Sequence, residues 1–221
     1  MAKTIRTFSN DEKLVAERRR QIINCAIDLF VKNGFDETTI ADIAAALGWS
    51  KGLIYHYVST KDDVLYLVAN DRAEGTTRGF SDLRDRCKKL SPVQAVLKYI
   101  DYYYRVVHNT QNYQVFLNQL AARLPRKDRK ILFDADRFAL DVLDEILKRG
   151  AGGDFHIKDT LLMAYNILLI GRTWADRRWF LQKHFELEYY LKIEKDAILR
   201  MLGASVPARA GRKELQAGRT A

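Results

Sequence analysis

A chain of 221 residues with 48% hydrophobic and 11% aromatic content can bury a core of one medium domain or two small ones. The formal charge of +9 and pI near 9.5 favour an anionic partner, yet the first 61 residues hold nine Lys and Arg against seven Asp and Glu, so any nucleic-acid contact there rests on placement, not bulk charge. Cys25 and Cys87 are too few for a disulfide framework or a zinc site, no apolar leader opens the sequence, and the longest mostly apolar run, Leu161 to Ile170, falls far short of the roughly 20 residues a bilayer needs, so the expected compartment is the cytoplasm.

Helical periodicity runs through the chain and predicts an all-α fold. Residues 1–17 form a polar arm with Lys3, Arg6 and Lys13, either a solvated tail or a segment that reaches phosphates or a minor groove beside a main contact. A helix follows from Arg18 to about Asn33, with Ile22, Ile23, Ala26, Ile27, Leu29 and Phe30 as its buried stripe and Gly34 as its stop. Thr39 and Asp42 make a capping box for a short helix whose apolar face is Ile40, Ile43, Ala44 and Leu47. Gly48 ends that helix, Trp49 is a large apolar plug, and Ser50 caps another helix over about Lys51 to Val58. The next helix opens at Lys61 behind Ser59 or Thr60. This is a helix-turn-helix pattern, and it makes residues 18–63 a three-helix DNA-binding domain.

The helix from Lys51 divides into two sides. Ile54, Tyr57 and Val58 turn inward, while Lys51, Gly52, Leu53, Tyr55 and His56 turn outward. A merely solvated side would mix Glu with Lys; this one has no acid. In a major groove Lys51 suits phosphate or guanine, Leu53 a thymine methyl, Tyr55 and His56 phosphate or base edges, and Gly52 permits close approach. Lys61, at a helix start, suits a phosphate, with Asp62 and Asp63 tempering the local charge.

Thr38-Thr39, Asp42-Ile43-Ala44, Gly48 through Val58, and Thr60-Lys61-Asp62-Asp63-Val64-Leu65 resemble the DNA-binding region of the tetracycline-repressor (TetR) family, nearly without gaps from Thr39 to Leu65. Three positions depart from the usual pattern: Trp49 replaces a small aliphatic residue, Leu53 a Thr and Val58 a Phe. The resemblance implies a symmetric homodimer that places Lys51 to Tyr57 of each subunit in the major groove of a palindromic operator. It assigns Thr39, Tyr55, His56 and Lys61 to the DNA backbone, with Ser50, Lys51, Gly52 and Leu53 completing the contact.

Beyond residue 63 the sequence predicts a ligand-binding and dimerisation domain over 64–203. The helix from Lys61 continues to about Gly79 as the evident rigid link; residues 79–91 are charged and weakly periodic. Ser91-Pro92 starts a helix to about Asn109, in which Tyr99, Tyr102, Tyr103 and Tyr104 are either packing aromatics or the lining of a ligand cavity. A short helix over 111–123 carries Val115, Phe116 and Leu120, and a longer one spans Asp128 to Arg149 before the Gly150–Gly153 turn. Ile157 to Phe180 is apolar on most sides and pairs with a last helix, about Glu186 to Leu202; together they suit a four-helix bundle made by two copies of the chain. Residues 204–221 complete the prediction as a disordered basic tail.

Gly171 to Phe180, with Trp174 and Trp179, is similar to an Asn-Trp-x-x-x-Trp-Tyr region of TetR-family members that respond to acyl-coenzyme A thioesters, with Thr173 in place of the Asn. That segment makes Arg172 and Arg178 candidates for an anionic effector and Trp174 a candidate for its apolar part, interface packing of Arg on Trp being the competing account, while Tyr103, among the cavity tyrosines, is a ligand candidate whose hydroxyl would orient the guest. The four histidines fall in four elements, none in a ligand-spaced motif, and no nucleophile elbow, dinucleotide fingerprint or phosphate loop occurs. The expected function is a ligand-controlled DNA-binding repressor without metal or cofactor. The alternatives are an effector-independent architectural DNA binder and an all-α enzyme.

Overall fold

The computed structural model describes Ile5, Thr7 and residues 11–204, the side chains of 111–121 excepted. Lys3 and Arg6 of the polar arm, the side chains of Val115, Phe116 and Leu120, and the tail from residue 205 lie outside the described residues. Among the described residues the elements are α1 (Glu12–Asn33), α2 (Ile40–Leu47), α3 (Lys51–Tyr55), α4 (Lys61–Cys87), α5 (Pro92–Ala121), α6 (Arg126–Gly150), α7 (Thr160–Asp176), α8 (Arg178–His184) and α9 (Leu187–Met201). An isolated bridge between Ala151 and Phe155 closes the glycine turn. Among the described residues no helix is long and apolar enough to cross a membrane.

Several boundaries move from their expected places. α1 starts at Glu12, not Arg18, because the Asp11 carboxylate accepts from the amides of Lys13 and Leu14 and because Val15 extends the buried stripe by two turns. α4 runs past Gly79 to Cys87: Phe80, Leu83 and Cys87 form a buried helical stripe that the charged residues between them conceal. α5 is unbroken where two helices were expected; the Thr110 hydroxyl donates to the Val106 carbonyl 2.7 Å away, which keeps a polar residue compatible with the helix. The single helix expected over 157–180 is instead α7 and α8. Asp159 caps α7 through the Leu162 amide, and at the break Gln182 donates to the Trp174 carbonyl.

The chain forms two compact units. One runs through Thr76 and takes in Asn112–Asp136; the other comprises Thr77–Gln111 and the chain from Arg137. The first is built on Ile22, Ala26, Phe30, Ile43, Ile54, Val58, Val64 and Leu65, with Leu124 buried among them and Ile131 and Leu132 packed against the cluster. That contact explains why a segment so distant in sequence belongs with the amino-terminal helices.

The second unit packs α5, α7 and α9 around Tyr99, Ile100, Tyr104, Trp174 and Leu191. Gly171 permits the approach of α7 to α5, since a Cβ there would lie 2.4 Å from the Tyr104 ring and 2.7 Å from that of Tyr103. α9 is tied to α5 by charge: Asp101 accepts from Arg105 at 2.9 Å and Lys195 at 2.6 Å, and Arg105 reaches Glu188 at 2.6 Å. Burial works against the Asp101 carboxylate, but the bonds from Arg105 and Lys195 outweigh it and hold its pKa below the usual range.

Candidate nucleic-acid interface

The site is built by local caps. Thr39 and Asp42 form the full capping box of α2: the Asp42 amide donates to the Thr39 hydroxyl, and the Thr39 amide and hydroxyl both donate to the Asp42 carboxylate. Those bonds from Thr39 hold the Asp42 carboxyl below its ordinary pKa range. Gly48 takes the left-handed conformation, φ 67°, and its amide donates to Ala44 and Ala45 carbonyls to end α2. Ser50 then caps α3 by accepting from the Leu53 amide at 3.2 Å.

α3 is shorter than the expected Lys51 to Val58, with His56 already its C-cap, yet Tyr57 and Val58 still turn into the core beside Ile54. The opposite side is open. Lys51, Gly52, Leu53, Tyr55 and His56 are all exposed, including 36% of Leu53 and 46% of Tyr55. The outward set read from the sequence therefore shares one surface.

Two predicted contacts carry other bonds. The Thr39 hydroxyl proton is committed to Asp42. Lys61 donates to the Phe35 carbonyl at 2.8 Å and the Asp36 carbonyl at 3.1 Å while its ammonium lies 4.4 Å from the Phe35 ring centroid, so two of its three protons secure the α1–α2 loop. Trp49 is not a fully buried plug: half-buried, it lies 6.3 Å from the Tyr57 ring, with the Arg18 guanidinium 5.1 Å from its centroid.

Residues that the sequence reading left unassigned brace α3 from behind. Asp63 accepts from the Ser59 and Thr60 amides, each at 3.0 Å, and its own amide donates to the Thr60 hydroxyl, a second capping box that fixes the loop between α3 and α4. The Thr60-x-x-Asp63 spacing repeats that of Thr39-x-x-Asp42, so the signal was present. Arg19 donates to the Tyr57 carbonyl at 3.1 Å and the Ile5 carbonyl at 2.9 Å, and Thr7 donates to the His56 carbonyl. Buried Thr38 donates to the Gly34 carbonyl at 2.8 Å.

In the second unit the effector candidates divide by exposure. Trp174 is buried and donates to His108 Nδ1 at 2.9 Å, and half-buried Tyr103 donates to the Leu168 carbonyl at 3.3 Å. Arg172 and Arg178 are exposed. Near Trp174, the Tyr190 ring lies at 4.7 Å and its hydroxyl donates to the Ile170 carbonyl at 3.5 Å, while burial pushes the Glu194 carboxyl above its usual pKa range. The Tyr104 hydroxyl is buried with no hydrogen-bond partner among the described residues. Burial raises the pKa of both cysteine thiols, which makes neither a ready nucleophile.

A capped trihelical head that shows solvent an acid-free, partly aromatic helix face belongs to the class of helix-turn-helix DNA-binding proteins. The family model for bacterial regulatory proteins, tetR family, matches residues 22–66. The HTH-type transcriptional regulator HbdR of Aromatoleum sp. (strain CIB) is 29% identical over 194 residues, covering 86% of this chain and 83% of that protein. The HTH-type transcriptional repressor Rv1474c of Mycobacterium tuberculosis is 35% identical over 63 residues, 28% of this chain and 34% of its own. Among solved structures, a tetR-family regulatory protein from Rhodococcus RHA1 superposes with a TM-score of 0.72 at 22% identity, over 85% of this chain and 98% of its own. Residues 22–66 thus match the amino-terminal domain of the tetR family, and over most of its length the chain is similar to a transcriptional regulator.

Asp63→Ala removes the acceptor for two amides behind α3 and is expected to destabilise the protein by about 1–2 kcal/mol. Urea denaturation followed by circular dichroism measures the loss, and an unchanged midpoint would remove Asp63 from the bracing.

Proposed function

We propose that the chain is a repressor that binds a palindromic operator as a homodimer, through Lys51 to His56 of each subunit, and leaves it when a small effector binds the second unit. Gly52 carries the DNA half of this reading. A Cβ at that position would meet only the Ser50 hydroxyl oxygen, at 3.8 Å, and the backbone is not left-handed. Neither space nor conformation calls for glycine, which costs a helix about 0.5–1 kcal/mol relative to alanine. Its absent side chain leaves room for something outside the chain, and on this face that is a groove edge. The name of the Mycobacterium tuberculosis relative supports repression.

The homodimer rests on apolar surface that one chain leaves open. Leu162 is 58% exposed, Tyr165 51% and Leu169 46%, one stripe along α7, while Ile193 and Met201 are exposed on α9. A second copy would bury the same stripe reciprocally.

For the effector, the unpartnered Tyr104 hydroxyl supports a guest with a hydrogen-bonding group, since such a buried group otherwise costs about 1–3 kcal/mol. An acyl-coenzyme A thioester suits the distribution of candidates: an apolar acyl part against Trp174 and Tyr103, and an anionic part toward exposed Arg172 and Arg178.

Gly52→Ala should leave the melting temperature unchanged or raised while weakening binding to the DNA upstream of the chain's own gene about tenfold, or ~1.4 kcal/mol. Undiminished binding in fluorescence anisotropy would refute close approach at Gly52. Leu162→Glu should convert a dimer into a monomer by light scattering; a wild-type chain that is itself monomeric would exclude the α7 stripe as a dimer interface. Acyl-coenzyme A esters of graded length should raise the melting temperature by binding the native state. A flat response across the series would eliminate that effector class.

A further inference from the structure

Arg18 precedes the segment that matches the family, and its side chain is held in a defined place beside α3. Its neighbour Arg19 is consumed by the carbonyls of Tyr57 and Ile5. Arg18, by contrast, makes one side-chain hydrogen bond, from Nη1 to Gln21 Oε1 at 3.1 Å on the same helix, and pairs with no carboxylate among the described residues. Its guanidinium sits 5.1 Å from the centre of the Trp49 ring, and Trp49 stands immediately before Ser50, the residue that caps α3. The indole is itself backed by Tyr57 at 6.3 Å.

Packing on the indole restricts the rotamers of Arg18 before any partner arrives and leaves N–H groups to donate outward. DNA phosphates flank the groove, so a cation fixed at the rim of a reading helix lies where the backbone runs while the crest of that helix meets base edges. We propose that Arg18 is a phosphate-contacting residue of the DNA interface and that Trp49 is the platform that positions it. The assignment extends the DNA-binding reading and accounts for an indole where the family pattern has a small aliphatic residue: the larger ring gives the guanidinium a surface on which to lie.

Arg18→Met keeps a long apolar stem over the indole and removes the charge. The full-length variant is titrated against a labelled duplex from upstream of the chain's own gene and against a scrambled duplex of equal length, across a potassium chloride series. Binding to both should weaken by a common factor of about fivefold per subunit at ~0.15 M salt, with the salt slope shallower by about 0.9 per subunit and the melting temperature unchanged. In a Trp49→Leu background, Arg18→Met should cost less than in the wild type, because the two residues act together. Wild-type affinity and slope in Arg18→Met would overturn the contact, and an equal cost in both backgrounds would overturn the platform. A wild-type chain that bound neither duplex would overturn the DNA-binding reading, and this contact with it.

Discussion

Five residues of helix cannot stand alone in water, because ordering the first turn costs more than its few hydrogen bonds return. α3 exists only because it is held at both ends and along one side. Ser50 closes its start, Ile54 is wholly buried beneath it, and Tyr57 and Val58 enter the core just past its end. Asp63, Arg19 and Thr7 then satisfy the amides and carbonyls of the following loop. All of these supports act from behind or at the ends, which is why the outward residues can be chosen for a partner instead of for the fold.

The same economy governs charge. Arg18, Arg19 and Arg20 are alike in sequence but not in use: the first lies on an indole, the second is bound to two carbonyls, and the third is exposed. Lys61 is spent largely within the protein. A head with a small surplus of positive charge thus presents few cations to an anionic lattice, and their fixed placement matters more than their number. That is the physical content of the near-balance of acids and bases in the first 61 residues.

What the sequence disclosed was local. The box at Thr39–Asp42, the caps at Ser50 and Ser91 and the stop at Gly48 are short-range patterns with one geometric solution, and each stands where it was expected. The outward face of α3 was legible for the same reason. The extension of α4 was obscured because three apolar residues, Phe80, Leu83 and Cys87, are diluted among charges. Nothing local could show that Leu124, Ile131 and Leu132 pack with the amino-terminal helices, or that Arg123 grips Asp36 across 87 positions, since those pairings arise only from tertiary packing.

That grip is one of several contacts that fix the α1–α2 loop within the first unit. Phe35 lies between Lys61, 4.4 Å from its ring centroid, and Arg123 at 5.5 Å, while Asp36 takes both guanidinium nitrogens of Arg123. Arg129 gathers the carbonyls of Ala122 and Leu124, which stiffens the connection that carries Arg123. The α1–α2 loop is thereby bound both to the first residue of α4 and to the segment joining α5 to α6. Each of these three helices contributes residues to both compact units, so α4 is not the sole continuous link.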